Sequence, residues 1–256
     1  MDLTPYQLFV IVGVVLFAAL VQAAVGFGAG MIIVPVLIWA GLPIEHALAV
    51  MSAAVCGQLT VKLWRYRREV PWREVVWPMG TARLIGYVPG FVLLWLLAGA
   101  STAVVKQAVG ATVLLALAMQ AGLRVEPRER LATGWAWLAG IAGGATAGAV
   151  GMGGPPLVLW VVAHDWPGKQ ARLFLWASFW ATMPLQLGVL IILFHPIEQA
   201  VLMGVGLATL PAALLGTAGG LWVGHRIPRR QLRWMMIGLL VVLGVGSLIG
   251  PMLSPG

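Results

Sequence analysis

Apolar residues run along this chain in long blocks, separated by short polar or glycine-bearing stretches. The blocks cover 5–23, 31–40, 45–62, 75–98, 102–121, 131–150, 154–163, 170–194, 197–222 and 231–250. Eight of them approach or exceed the roughly 20 residues that carry a helix across a hydrocarbon core about 30 Å thick; 31–40 and 154–163 fall well short. Long apolar blocks, not the short alternating segments of a barrel, predict membrane-crossing α-helices.

Two interruptions share a spelling. Ala24-Val25-Gly26-Phe27-Gly28-Ala29-Gly30 and Ala149-Val150-Gly151-Met152-Gly153-Gly154-Pro155 lie 125 positions apart and agree at four of seven places. Glycine weakens a helix interior by about 1 kcal/mol relative to alanine, so each run predicts a break in its helix. Beyond these runs the internal repeat is faint: at an offset of 127, Trp95 falls on Trp222 and Lys106 on Arg233. A broken helix recurring once per half of an apolar chain is the mark of a transporter built from an internal repeat. As one straight helix, residues 5–40 would be about 54 Å long at about 1.5 Å per residue, so the segment must tilt, protrude or fold back.

Charge decides among these. Of 256 residues, 61% are hydrophobic and 9% charged, with a net charge of +8. A soluble domain carries about a quarter of its residues charged. The basic residues occupy the loops 62–73, 122–130, 164–172 and 224–233, leaving only Arg83 and Lys106 outside them. Cytoplasmic loops therefore account for the positive charge, and nucleic acid is not an expected partner. If each broken segment is a re-entrant hairpin, all four basic loops face one side; if each crosses once, eight basic residues oppose six. Lys/Arg asymmetry favours the hairpins, and arms of ten residues are too short to span.

The expected architecture is an all-α polytopic membrane protein of two inverted-topology repeats, each a broken hairpin followed by three crossings. Residues 1–122 form the first repeat (hairpin 5–40, spans 45–62, 75–98 and 102–121). A basic cytoplasmic linker follows at 123–130, then the second repeat at 131–256 (hairpin 131–163, spans 170–194, 197–222 and 231–250). Three crossings per half insert the halves upside down relative to each other and leave both termini on the periplasmic side. Met1-Asp2-Leu3-Thr4 lacks the basic start of a signal peptide, so the first block is expected to be retained.

The glycine break with its downstream proline (Gly26 to Gly30, then Pro35; Gly151 to Gly154, then Pro155), inside two four-element halves, resembles the TauE/SafE sulfite exporter family. The basic loop ending in Val70-Pro71-Trp72-Arg73 is similar to that family's loop after the second element. The resemblance spans nearly the whole chain. It implies a bacterial inner-membrane transporter of sulfite, sulfoacetate or a related small anion, and it implies an exporter. A passive anion channel and an uptake permease for another small anion are the alternatives.

Helix physics is compatible with an anion. A hairpin broken at the midplane presents the N-terminus of its second arm, with free N–H groups and a positive dipole end. Two such ends make an anion site without a buried permanent charge. The candidate substrate-binding residues are therefore Gly26, Phe27, Gly28, Ala29 and Gly30 with Gly151, Met152, Gly153, Gly154 and Pro155. Gln22, Ser52, Thr146 and Ser178 are nearby polar groups that either donate to an anion or make interhelical hydrogen bonds. Arg83, about nine residues into its span, either helps hold the anion, or snorkels to the cytoplasmic headgroups or pairs with Glu74. Lys169 and Arg172 mark the cytoplasmic mouth. Gly86/Gly90, Gly140/Gly144/Gly148 and Gly216/Gly220/Gly224 have the spacing of close helix packing.

No enzymatic motif is present: there is no nucleophile elbow and no His-Glu-x-x-His. With one cysteine, Cys56, neither a disulfide nor a Cys/His metal cluster is expected, and no cofactor. Protons are a candidate coupling ion through His46, His164, His195 or His225, which fall at the ends of elements with Glu45, Asp165 and Glu198 nearby. No Asp or Glu lies deeper within a span, and interfacial solvation is the alternative role for the histidines. Homo-oligomerisation is left open.

Overall fold

Glycine and proline punctuate the helices where the hydropathy pattern places the breaks. In the computed structural model, which describes residues 3–122, 131–227 and 229–253, the first half forms α1 (Pro5–Val25), α2 (Ala29–Trp39), α3 (Ile44–Tyr66), α4 (Trp72–Ala98) and α5 (Thr102–Gly122). The second half forms α6 (Thr133–Val150), α7 (Gly154–Val162), α8 (Gly168–Leu193), α9 (Pro196–Ala208), α10 (Leu210–Arg226) and α11 (Arg229–Leu253). No strand occurs among the described residues. The expected linker at 123–130 lies outside them.

Six helices are long and apolar enough to cross a membrane, seven if α9 and α10 count as one bent span. The predicted span 197–222 is that pair, bent by 42°. Pro211 has no N–H to return to Leu207, so the helical ladder is cut at the bend. The predicted span 75–98 is α4, disturbed in the same way: a wide turn at Val75–Gly80 surrounds Pro78, and Trp77 leaves the helical region. Each half thus follows the same order of long helix, break, short helix, long helix, proline-bent helix and long helix.

Both broken segments fold back on themselves. Gly26 and Gly28 adopt φ of 104° and 106° and Gly151 adopts 71°, left-handed values that side chains disfavour and that reverse the chain. Gln7, on the first turn of α1, donates through Nε2 to the Ala40 carbonyl just beyond α2 (3.3 Å), so the chain leaves the hairpin at the end where it entered. In the second hairpin Leu157 of α7 lies against Gly143 of α6. The arms are unequal. At about 1.5 Å per residue, the 21-residue α1 reaches about 31 Å, while the 11-residue α2 covers only half that distance.

The halves pack by exchange. α4 lies along α6, α10 lies along α1, α5 pairs with α11, and α3 meets α8 at the centre. Small residues let these backbones touch. A β-carbon on Gly144 would stand 2.2 Å from the Arg83 carbonyl oxygen, and one on Gly220 would stand 2.1 Å from that of Leu20. Gly86 and Gly90 meet Ile141 and Ala145, and Gly216 meets Leu16, in the same manner. These glycines are packing residues, as their spacing predicts; dispersion at such approaches holds helices together in lipid. α3 is the enclosed centre, with Ala47 to Ala54 almost without exposure. Val88, Val92 and Leu96 of α4 face outward as an apolar stripe fit for acyl chains.

Candidate functional site

The two breaks meet. A β-carbon on Gly30 would fall 2.2 Å from the Gly151 carbonyl oxygen, so the tips are in backbone contact. They overlap rather than face end to end: Gly26 lies beside Arg172 in the second turn of α8, while Gly151 lies beside Leu48 and Met51 of α3. Gly154 faces the ring of Phe27. Neither α2 nor α7 has a side-chain N-cap, since Gly28 and Gly153 hold those positions. Their first-turn N–H groups are the unsatisfied donors of a helix start.

Those starts border one cavity of ≈ 40 Å³. That is room for about three waters, the scale of a four-atom oxyanion. Of the sequence candidates, Gln22, Gly28, Ala29, Gly30, Gly151, Met152, Gly153, Gly154 and Arg83 line it. Gly26, Phe27, Pro155, Ser52, Thr146 and Ser178 do not. Thr146 returns its hydroxyl to the Ala142 carbonyl (2.9 Å) of its own helix. Ser52 is fully buried with its hydroxyl unpartnered.

The ends differ chemically. α2 begins Ala29-Gly30-Met31, three residues with N–H groups. α7 begins Gly154-Pro155-Pro156, and both prolines lack one. Arg83 stands at the poorer end: its Nη2 lies 3.4 Å from where a Gly153 β-carbon would be. The side chain is 1% exposed, so it does not snorkel, and Glu74 is not its partner. Nη1 donates to the Ser178 carbonyl (3.1 Å), the group lies 5.4 Å from the Phe179 ring centroid, and Nε has no partner. An arginine at the centre of a span costs roughly 2.5–3.5 kcal/mol on insertion scales. Among the described residues no carboxylate offsets it. The cavity therefore carries one positive charge, aligned N–H donors and no acidic lining residue, an electrostatic setting for an anion.

Three polar groups complete the wall. The Tyr87 hydroxyl donates to Gln186 Oε1 (3.3 Å) and lies at the same distance from Thr182 Oγ1, while Gln186 Nε2 donates to the Ala147 carbonyl (3.4 Å). Gln22 is buried with Oε1 unpartnered. Tyr87 and Gln186 line the cavity but are absent from the sequence candidates. A signal existed: Ser178, Thr182 and Gln186 recur every four residues, one polar stripe along α8, and Tyr87 follows Arg83 by one turn.

The histidines stand apart from the cavity lining. His46 is buried and lies 3.6 Å from Glu198. His164 Nδ1 contacts the Trp160 carbonyl (2.8 Å) within an aromatic cluster, and His225 contacts the Leu221 carbonyl. Among the described residues there is no cluster of His, Cys, Asp or Glu suited to a metal.

Comparison with known proteins adds two findings. The family model described as Sulfite exporter TauE/SafE matches residues 11–247. A protein from Cupriavidus necator described as "Probable sulfite/organosulfonate exporter TauE" is 29% identical over 143 residues, which is 54% of this chain and 54% of that relative. The match thus spans about half the length of each. No solved structure matches the chain.

Proposed function

The chain belongs to the TauE/SafE sulfite exporter family, and from that premise we propose that it carries sulfite or a related small organosulfur anion outward across the bacterial inner membrane. In this reading the anion sits between the two breaks. First-turn N–H groups of α2 and α7 and the guanidinium of Arg83 hold it, with Gln22 and Tyr87 at the wall. The observation that carries the reading is the cavity's one-sided chemistry: two uncapped helix starts and a buried arginine without a carboxylate converge on it.

Two inverted repeats fit the exchanged packing: the first and fourth elements pair crosswise between halves (α1 with α10, α6 with α4), while the third and fifth elements meet their counterparts (α3 with α8, α5 with α11). They also fit the charge parity of the loops, which puts both termini in the periplasm. Alternating access then follows from one repeat rocking against the other around a fixed site. The proline bends in α4 and α10 give each repeat a point at which to yield.

Sulfite and sulfoacetate counterflow in proteoliposomes tests this reading. Wild-type protein exchanges internal for external anion with saturation, and R83M does not. Non-saturating flux would favour a channel, and undiminished exchange by R83M would remove the site.

A further inference from the structure

A second set of donors lies outside the cavity, between α3 and α8. Lys62, on the penultimate turn of α3, is 7% exposed; its Nζ has no hydrogen-bond partner and sits 4.7 Å from the centroid of the Trp176 ring. The indole N–H of Trp176 is buried and equally without a partner. Arg172, one turn earlier on α8, is half-buried and lays its stem against Gly26, the end of the first break. Among the described residues none of the three pairs with a carboxylate, and the nearby Glu69 is taken by Lys169. Three donor-bearing side chains, none of them paired with a carboxylate among the described residues, lie along this junction.

The ordinary role for a lysine here is to reach the cytoplasmic headgroups along its own stem. Lys62 does the opposite and buries its ammonium. Removing an ammonium from water is costly, and a cation–π contact offsets only part of that cost. A visiting anion would offset the remainder. We infer that Lys62, Trp176 Nε1 and Arg172 form a second anion site at the cytoplasmic end, where a compact oxyanion loads before passing Gly26 into the central cavity. The inference rests on the export reading for its direction and substrate class. A lipid phosphate shares the chemistry, so the test separates the two sources.

Sulfite is titrated calorimetrically into the purified full-length protein in nanodiscs of phosphatidylcholine, and again with phosphatidylglycerol added. Wild type binds two equivalents. K62M and K62Q lose one of them, weakened at least about tenfold as expected for a lost charge-assisted hydrogen bond, and K62R keeps both. R83M loses the other and keeps the Lys62-dependent one. Two equivalents in a folded K62M or K62Q would overturn the second site and leave the central one standing. Two equivalents in R83M, with one in K62M, would overturn the central site alone. A Lys62-dependent site filled by phosphatidylglycerol and never by sulfite would also overturn the loading role, and a wild type that binds no sulfite would overturn both.

Discussion

Arg83 of the first half donates to the backbone carbonyl of Ser178 in the second, at 3.1 Å, and this is the hydrogen bond that holds the cavity's cation in place. A carbonyl positions a guanidinium without neutralising it. The charge stays available to a ligand while the side chain keeps one orientation, with Phe179 beneath it. Replacing Arg83 by methionine is expected to abolish sulfite binding and leave the fold intact, because an unpaired buried charge contributes little to stability. If sulfite is the ligand, a concentration of a hundred times its dissociation constant should stabilise the wild type by about 2.7 kcal/mol through linkage alone. Thermal unfolding with and without sulfite checks this: the ligand-dependent rise vanishes in R83M, while the ligand-free midpoint holds or rises.

Gly30→Ala places a methyl against the Gly151 carbonyl, in the contact that joins the two breaks. Overpacking of this kind costs typically 1–3 kcal/mol. Transport should fall sharply and the unfolding midpoint drop. Gly204→Ala, inside α9, is the matched control: nothing lies within 4 Å of its new methyl, so flux should stay at the wild-type value and the midpoint should hold or rise with the gain in helix propensity.

Tyr87→Phe removes one hydroxyl from the cavity wall and leaves Gln186 Oε1 without that donor. A neutral hydrogen bond is worth about 0.5–1.5 kcal/mol net, so sulfite affinity should weaken by no more than about tenfold, less than for R83M. Calorimetric titration of both variants gives the order, and an unchanged affinity would place Tyr87 outside the site.

Gln58→Leu breaks a buried bond of 2.6 Å from Gln58 Nε2 to Thr217 Oγ1, which ties α3 to α10 away from the cavity. Interhelical hydrogen bonds in membranes average about 0.6 kcal/mol and reach about 1.7. A small loss of stability with normal flux is expected, and lost transport in a folded variant would show that this junction moves during the cycle.

The proposed periplasmic placement of both termini implies opposite exposure for two outward-facing residues, Trp64 at the end of α3 and Ile197 at the start of α9. With Cys56→Ser as background, a membrane-impermeant maleimide added to spheroplasts should label I197C and spare W64C until the membrane is broken. The reverse pattern would invert the proposed orientation.

How the hairpins arise was legible in local sequence. Gly26 and Gly151 stop their helices and Gly28 starts the next because they accept left-handed φ, and Pro155 and Pro156 suit a helix start. Second arms of about ten residues cannot span, although α1 by itself is long enough to cross. The packing role of Gly86, Gly90, Gly144, Gly216 and Gly220 was legible for the same reason: small residues one turn apart make a groove whatever fills it. The bend between α9 and α10 was missed although Pro211 marks it, because hydropathy runs on through the kink.

By itself, then, the sequence determined where the chain breaks, that it is a membrane protein and which loops carry the positive charge. Each of these depends on residues near one another in the chain. Only the tertiary structure decided that Gly30 rests on Gly151, that Arg83 turns inward to Ser178, and that Tyr87 and Gln186 face the cavity while Thr146 does not. Helical periodicity places residues on a common stripe but does not say which neighbour that stripe meets. An arginine nine residues into a span has the length to reach water or to stay inside. The choice was made when α8, from the other half of the chain, packed over it and left a carbonyl within reach.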